Sequence, residues 1–134
     1  MNILRAKINK SNNTLKFEIL NEKNEKTFSI NFSNESIQKE NLNKLANDQL
    51  ITLGIRPHKI FFNQKDSNFD GKASSSSYHW LGDQVHIGIE INGSSIIGVA
   101  DRNFEPSSDV KLNFPLESIN IFNLETEEVI LNGL

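Results

Sequence analysis

Residues 84–101 constrain the fold more than any other stretch of the chain. Val85, Ile87, Ile89 and Ile91 alternate with His86, Gly88 and Glu90, so four aliphatic side chains share one face of a strand. Asn92-Gly93 follows at once, and these residue types tolerate the two positive-φ positions of a type I′ turn. Residues 95–100 then return as the partner strand. Gly88, inside the first strand, marks a bulge or a sharp bend of a sheet that curls closed.

The rest reads as more of the same. Residues 3–8, 14–20 and 26–32 are short apolar-bearing runs, separated by Asn12-Asn13 and by the turn-forming residues 21–24. Ile51, Leu53 and Ile55 alternate with Thr52, Gly54 and Arg56 as a half-buried strand does, and Pro57 forces the chain to turn. Residues 59–62, 110–114, 119–122 and 129–131 are further short strands, and 70–81 reads as one polar strand despite Ser74-Ser75-Ser76-Ser77. One or two helical turns fit 33–46, where Ile37, Leu42 and Leu45 lie at rough helical spacing. Many short strands at close spacing give an all-β fold, a small barrel or sandwich. Trp80 and Phe122 are the first candidates for its core.

Composition narrows the function classes. The 134 residues carry a formal net charge of −3 and no cysteine. An acidic balance argues against a phosphate-backbone footprint, and the missing cysteines exclude disulfides, thiol nucleophiles and thiolate metal sites. No apolar run reaches the length of a membrane helix.

Candidate chemistry is sparse. His58, His79 and His86 are too scattered for a local metal motif. Asp66, Asp70 and Gly71 lack the acidic spacing of a calcium loop. Gly88, Gly93, Ser94 and Ser95 mimic half of a phosphate-binding loop but lack its lysine and sit in a hairpin. Glu127-Glu128 falls in an exposed turn, where nothing tunes a carboxylate for acid–base work. Phe61, Phe62, Phe69, Tyr78, Trp80 and Phe104 could form a stacking platform, yet nucleic acid would also need a cationic groove. The sequence assembles no catalytic set.

Leu53-Gly54-Ile55-Arg56-Pro57, then Leu81-Gly82-Asp83, then Glu117, Ile121-Phe122 and Thr126 occur in an order that resembles the C-terminal regulatory region of sugar-type (maltose or glycerol-phosphate) ABC importer ATPase subunits. Met1-Asn2-Ile3-Leu4 is similar to the start of that region. The resemblance implies a TOBE domain (a transport-associated OB fold) over residues 1–134, with strands from 1–57 and 58–134 intertwined. It implies a regulatory and dimerisation role without catalysis. Leu53, Gly54, Arg56, Pro57, Leu81, Gly82, Glu117, Phe122 and Thr126 would be structural or interface positions, with no catalytic, cofactor or metal residues. ATP and magnesium would belong to a separate nucleotide-binding domain. Partners would be a second copy, that ATPase domain, the permease subunits and a regulatory protein, with no nucleic acid, at the cytoplasmic face of the membrane.

Departures from the family pattern are His58 for Glu, Lys59 for His, Asn120 for His, Asn123 for Asp and Glu127 for the turn Gly. The last puts the turn geometry in question, since positive φ is harder for Glu than for Gly. Two alternatives remain. One is an oxyanion sensor like the molybdate-binding relatives of this fold, whose Ser-Ala-Arg-Asn motif is missing here. The other is an OB-fold binder of nucleic acid or oligosaccharide.

Overall fold

The computed structural model describes residues 1–62, 67–101 and 110–134. In chain order its strands are β1 (Asn2–Lys10), β2 (Thr14–Leu20), β3 (Lys26–Ser33), β4 (Leu50–Ile55), β5 (Phe61–Phe62), β6 (Phe69–Asp70), β7 (Ala73–Leu81), β8 (Gln84–Ile91), β9 (Ser94–Asp101), β10 (Leu112–Asn113), β11 (Asn120–Asn123) and β12 (Val129–Asn132). A seven-stranded sheet runs β12-β11-β4-β1-β2-β3-β6, a three-stranded sheet runs β7-β8-β9, and β5 pairs with β10. Every pairing is antiparallel. Among the described residues there is one α-helix, α1 (Lys39–Asn43), of five residues.

Alternation explains the core. Leu4, Ala6 and Ile8 of β1 point inward, as do Leu15, Phe17 and Ile19 of β2, Phe28, Ile30 and Phe32 of β3, and Ile51, Leu53 and Ile55 of β4. Val85, Ile87, Ile89 and Ile91 of β8 join them in one continuous core, so the small sheet closes over the large one. Ile37 and Leu45, flanking α1, plug one side with Leu42 packed against it.

Polar side chains tie the large sheet to the segments packed against it. Asn2 Nδ2 donates to the Ile97 carbonyl at 2.8 Å while its Oδ1 accepts from the Ile97 N–H at 2.8 Å. Asn68 holds Phe114 in the same two-point way, at 2.7 and 2.9 Å. At the β8–β9 turn, Asn92 Nδ2 donates to the Thr27 carbonyl at 2.6 Å and the Thr27 and Ser94 hydroxyls lie 2.8 Å apart. Asn92 and Gly93 take φ of 49° and 94°, as a type I′ turn demands.

The structure corrects several readings. Trp80 is 51% exposed; it stands on β7, a strand with one ladder partner, two residues before the β7–β8 turn. Phe122 is half-buried on the outer face of the large sheet, because Ile121 takes the inward position of β11. The run 70–81 is two strands, since Asp70 pairs with Ser29 of the large sheet and Ala73 with Ile91 of the small one. The serines do form a strand, and the bulge expected at Gly88 falls opposite it: the ladder slips between Ser75 and Ser77.

Candidate functional site

The family-type positions come together only in part. Leu53 is fully buried in β4, and Gly54 beside it turns its missing side chain to the outer face. A Cβ there would lie 2.8 Å from Phe122 Cε2 and 2.5 Å from Met1 Sδ, so glycine is what lets the Phe122 ring lie across the β4–β11 seam. Asn120 Nδ2 donates to the Gly54 carbonyl at 3.2 Å. Arg56 is exposed and Pro57 opens a 3-10 turn (Pro57–Lys59). Leu81, 58% exposed, and Gly82 sit at the tip of the β7–β8 hairpin, in the other sheet. Glu117 is exposed in a 3-10 turn (Leu116–Ser118) against Gly133.

Thr126 belongs to the β11–β12 turn, which keeps its form despite the substitutions. Asn123 Oδ1 accepts from the N–H groups of Glu125 and Thr126 at 2.9 and 3.0 Å, and the Glu127 N–H donates to the Asn123 carbonyl at 3.0 Å. Glu127 itself adopts φ 62°. The left-handed conformation is thus retained without glycine, at a penalty of about 1 kcal/mol.

A different place has the makings of a binding site. A cleft of about 760 Å³ opens between β1, the β2–β3 turn and the β8–β9 turn. Its floor is Ile3, Leu4 and Arg5, and its walls include Asn21, Lys23, Gly93, Ser94 and Ser95. The sequence builds it simply. Leu4 and Ala6 point inward, so Arg5 must point outward. Asn21 Oδ1 accepts from the N–H groups of Lys23 and Glu25, shaping one wall. The ties from Asn92 and Ser94 to Thr27 fix the other.

Arg5 gives this cleft chemical character. Its Nε is buried and has no hydrogen-bond partner among the described residues. The ion pair found among those residues is Lys7–Asp48, at 3.6 Å, so no described carboxylate pairs with Arg5. A buried donor on a cationic group without an acceptor is costly; with Nε enclosed, it is the remainder of this half-buried guanidinium that an anion in the cleft would meet. Ser95 adds a hydroxyl that can donate to the same anion, whereas the Ser94 hydroxyl donates to Thr27 Oγ1, whose own proton goes to the Ile19 carbonyl. Glu22 and Glu25 also line the cleft, balancing Lys23 and Arg5 and weakening the pull on highly charged anions.

Sequence reasoning passed over Arg5, and it rejected Ser94 and Ser95 as a phosphate-binding loop because they lack its lysine and sit in a hairpin. The available signal was an arginine, one of three in the chain, at an outward position of an otherwise alternating strand. What it could not reveal was that a turn far along the chain would lie over it.

The other candidates do not converge. Among the described residues no group of three His, Asp or Glu side chains could hold a metal ion. His79 and His86, however, are direct cross-strand partners in β7 and β8, a pairing their spacing did not suggest. Phe61 and Trp80 are exposed while Phe62, Phe69 and Tyr78 are half-buried, and Phe69 meets Phe28 edge-on at 6.0 Å. These rings are spread over three sheets and make no common platform. Phe104 and Asp66 lie outside the described residues.

No protein-family model matches the chain, and no curated protein sequence matches it. Among solved structures it is similar to the cytoplasmic molybdate-binding protein ModG, in a PEG-grown crystal form with molybdate bound. The TM-score is 0.57 at 9% identity, covering 90% of this chain and 94% of that one. No helix among the described residues is long and apolar enough to cross a membrane. Antiparallel sheets with little helix, matched along nearly the whole of that structure, make this an all-β protein with a TOBE-type OB fold.

Proposed function

We propose that the chain is an oxyanion-binding protein of TOBE type that holds its ligand at Arg5 without catalysing a reaction. The observation that carries this reading is Arg5, a half-buried guanidinium with no ion-pair partner among the described residues, lining a cleft also walled by Ser94 and Ser95. Likeness in fold to a protein solved with molybdate bound supports it. The Ser-Ala-Arg-Asn motif is absent, so the donors form a different set: a guanidinium from β1 and the Ser95 hydroxyl beside the β8–β9 turn. A tetrahedral oxyanion suits both, since it accepts from a planar fork and from a hydroxyl at once.

Titration calorimetry with molybdate, sulfate and phosphate tests the proposal. Arg5→Gln is expected to weaken binding by roughly tenfold to a hundredfold, the range for losing a charge-assisted hydrogen bond. Glu22→Gln with Glu25→Gln is expected to tighten it. Absence of binding by any oxyanion, or binding indifferent to Arg5→Gln, overturns the reading.

A second reading, the regulatory and dimerisation region of a sugar-type importer ATPase, is favoured by one observation. Gly54 and Phe122 interlock at one seam, and the adjoining turn keeps positive φ at Glu127. In that reading ATP and magnesium are held by another domain. The partners are then a second copy, the permease subunits and a regulator, at the inner face of the membrane. An immunoblot of native extract separates the two. A band several times larger than 15.2 kDa that fractionates with membranes supports the importer, and a soluble band of that size supports the oxyanion-binding protein.

A further inference from the structure

We infer that the preferred ligand is an oxyanion with an apolar body, an aryl or branched alkyl phosphate or carboxylate, in preference to a bare inorganic anion; this rests on the Arg5 reading above. The reason lies in the register of the large sheet. Arg5 of β1 pairs with Thr52 of β4, and Thr52 pairs with Phe122 of β11. The three residues form one rung on the outer face, and with strands spaced at about 4.8 Å, Arg5 and Phe122 stand about 10 Å apart along it. In the neighbouring rung, Ile3 of β1 faces Gly54 of β4.

Ile3 of that second rung and Phe122 of the first supply the apolar end. Ile3, Thr52, Phe122 and Leu124 line a separate hollow of about 370 Å³. Ile3 also lines the Arg5 cleft and is 62% exposed. The two hollows therefore share a wall residue, with a cation at one end and an aliphatic and aromatic surface at the other. Met1 Sδ and the Phe122 ring occupy the space above Gly54, adding apolar surface at that end. Asn123 and Glu127 complete the far rim, and a carboxylate there would repel a second anionic group, so the ligand carries its charge at one end only. An inorganic anion would occupy the Arg5 end and leave the apolar hollow to water. A ring or branched chain attached to it would cover Ile3 and Phe122 and gain about tenfold in affinity from the apolar area removed from water.

The test is calorimetry on the full chain with inorganic phosphate, phenyl phosphate and phenol. Phenyl phosphate is expected to bind about tenfold more tightly than phosphate, and phenol not measurably. Phe122→Ala should bring phenyl phosphate most of the way to the phosphate value. Leu124→Ser, in the β11–β12 turn, is a second variant for the same end should Phe122→Ala fail to fold. Arg5→Gln should weaken both anions. Equal affinities for phosphate and phenyl phosphate, both lowered by Arg5→Gln, would overturn the apolar extension and leave the oxyanion site standing. A phenyl phosphate advantage that survives both Phe122→Ala and Leu124→Ser would also overturn it. No binding of either anion would overturn the site itself.

Discussion

β7 and β8 lie side by side in one sheet and are held there by opposite means. Every inward residue of β8 (Val85, Ile87, Ile89, Ile91) is fully buried. Opposite them β7 offers Ala73, Ser75, Tyr78 and Trp80, of which only Ala73 is buried. β8 supplies the small sheet's share of the core. β7 follows it through backbone pairing and small polar contacts, such as the Ser76 hydroxyl donating to the Gly88 carbonyl at 3.2 Å. A run of serines is thus a strand here because its neighbour is one, and its own side chains contribute little.

Truncation of matched residues would break this contrast if it is wrong. Ile87→Ala should destabilise the protein by about 2–5 kcal/mol, the range for emptying a fully packed aliphatic site. Denaturant unfolding would show it as a lower midpoint at unchanged slope. Gly88→Val tests the closeness of the two strands: valine is the better strand former, but any Cβ at Gly88 collides with the Ser77 hydroxyl. The exposed Ser77 hydroxyl can turn aside, so a loss of no more than about 1 kcal/mol is expected, against a gain if propensity ruled. Glu127→Gly should stabilise by about 0.5–1 kcal/mol, by relieving the left-handed backbone at a turn that, unlike Asn92-Gly93, carries a long side chain there. Trp80→Ala should change stability by less than about 0.5 kcal/mol, since half its surface already faces water. If Trp80→Ala proved as damaging as Ile87→Ala, β7 would be a core strand and the contrast would collapse.

Much of this was legible in the sequence, for a local reason. Period-two alternation in β1–β4 and β8, and the Asn92-Gly93 turn, are properties of a few consecutive residues, and the all-β reading needed nothing more. Residues 33–46 do hold short helical turns, as their spacing suggested, but Ile37 and Leu45 are buried outside the five-residue α1, so their burial did not come from one helical face. Trp80 was misjudged because large size suggests core, while burial depends on which strand has neighbours on both sides. The break at Gly71-Lys72 was missed because it reflects a change of sheet, which depends on β3 and β8 and not on the run itself. Arg5 was passed over for the same reason: its strand was read correctly, but the turn that covers it arrives from residues far away in sequence. The structure does bring Gly54 and Phe122 together, yet Leu81, Glu117 and Thr126 remain apart from them.

The two-point grip of Asn2 on Ile97 has a consequence for how this molecule meets others of its kind. A side-chain amide carries a donor and an acceptor much as a peptide group does, so Asn2 acts as a strand one residue long laid along β9. Outer strands invite foreign chains because their N–H and C=O groups wait in a row. Here the middle of that row is already taken, by a group too short to offer a fresh row of its own. Crowding or partial heating would have to evict Asn2 before β9 could seed a ladder between molecules. Its loss would appear first as faster aggregation, and only secondarily as a lower melting temperature.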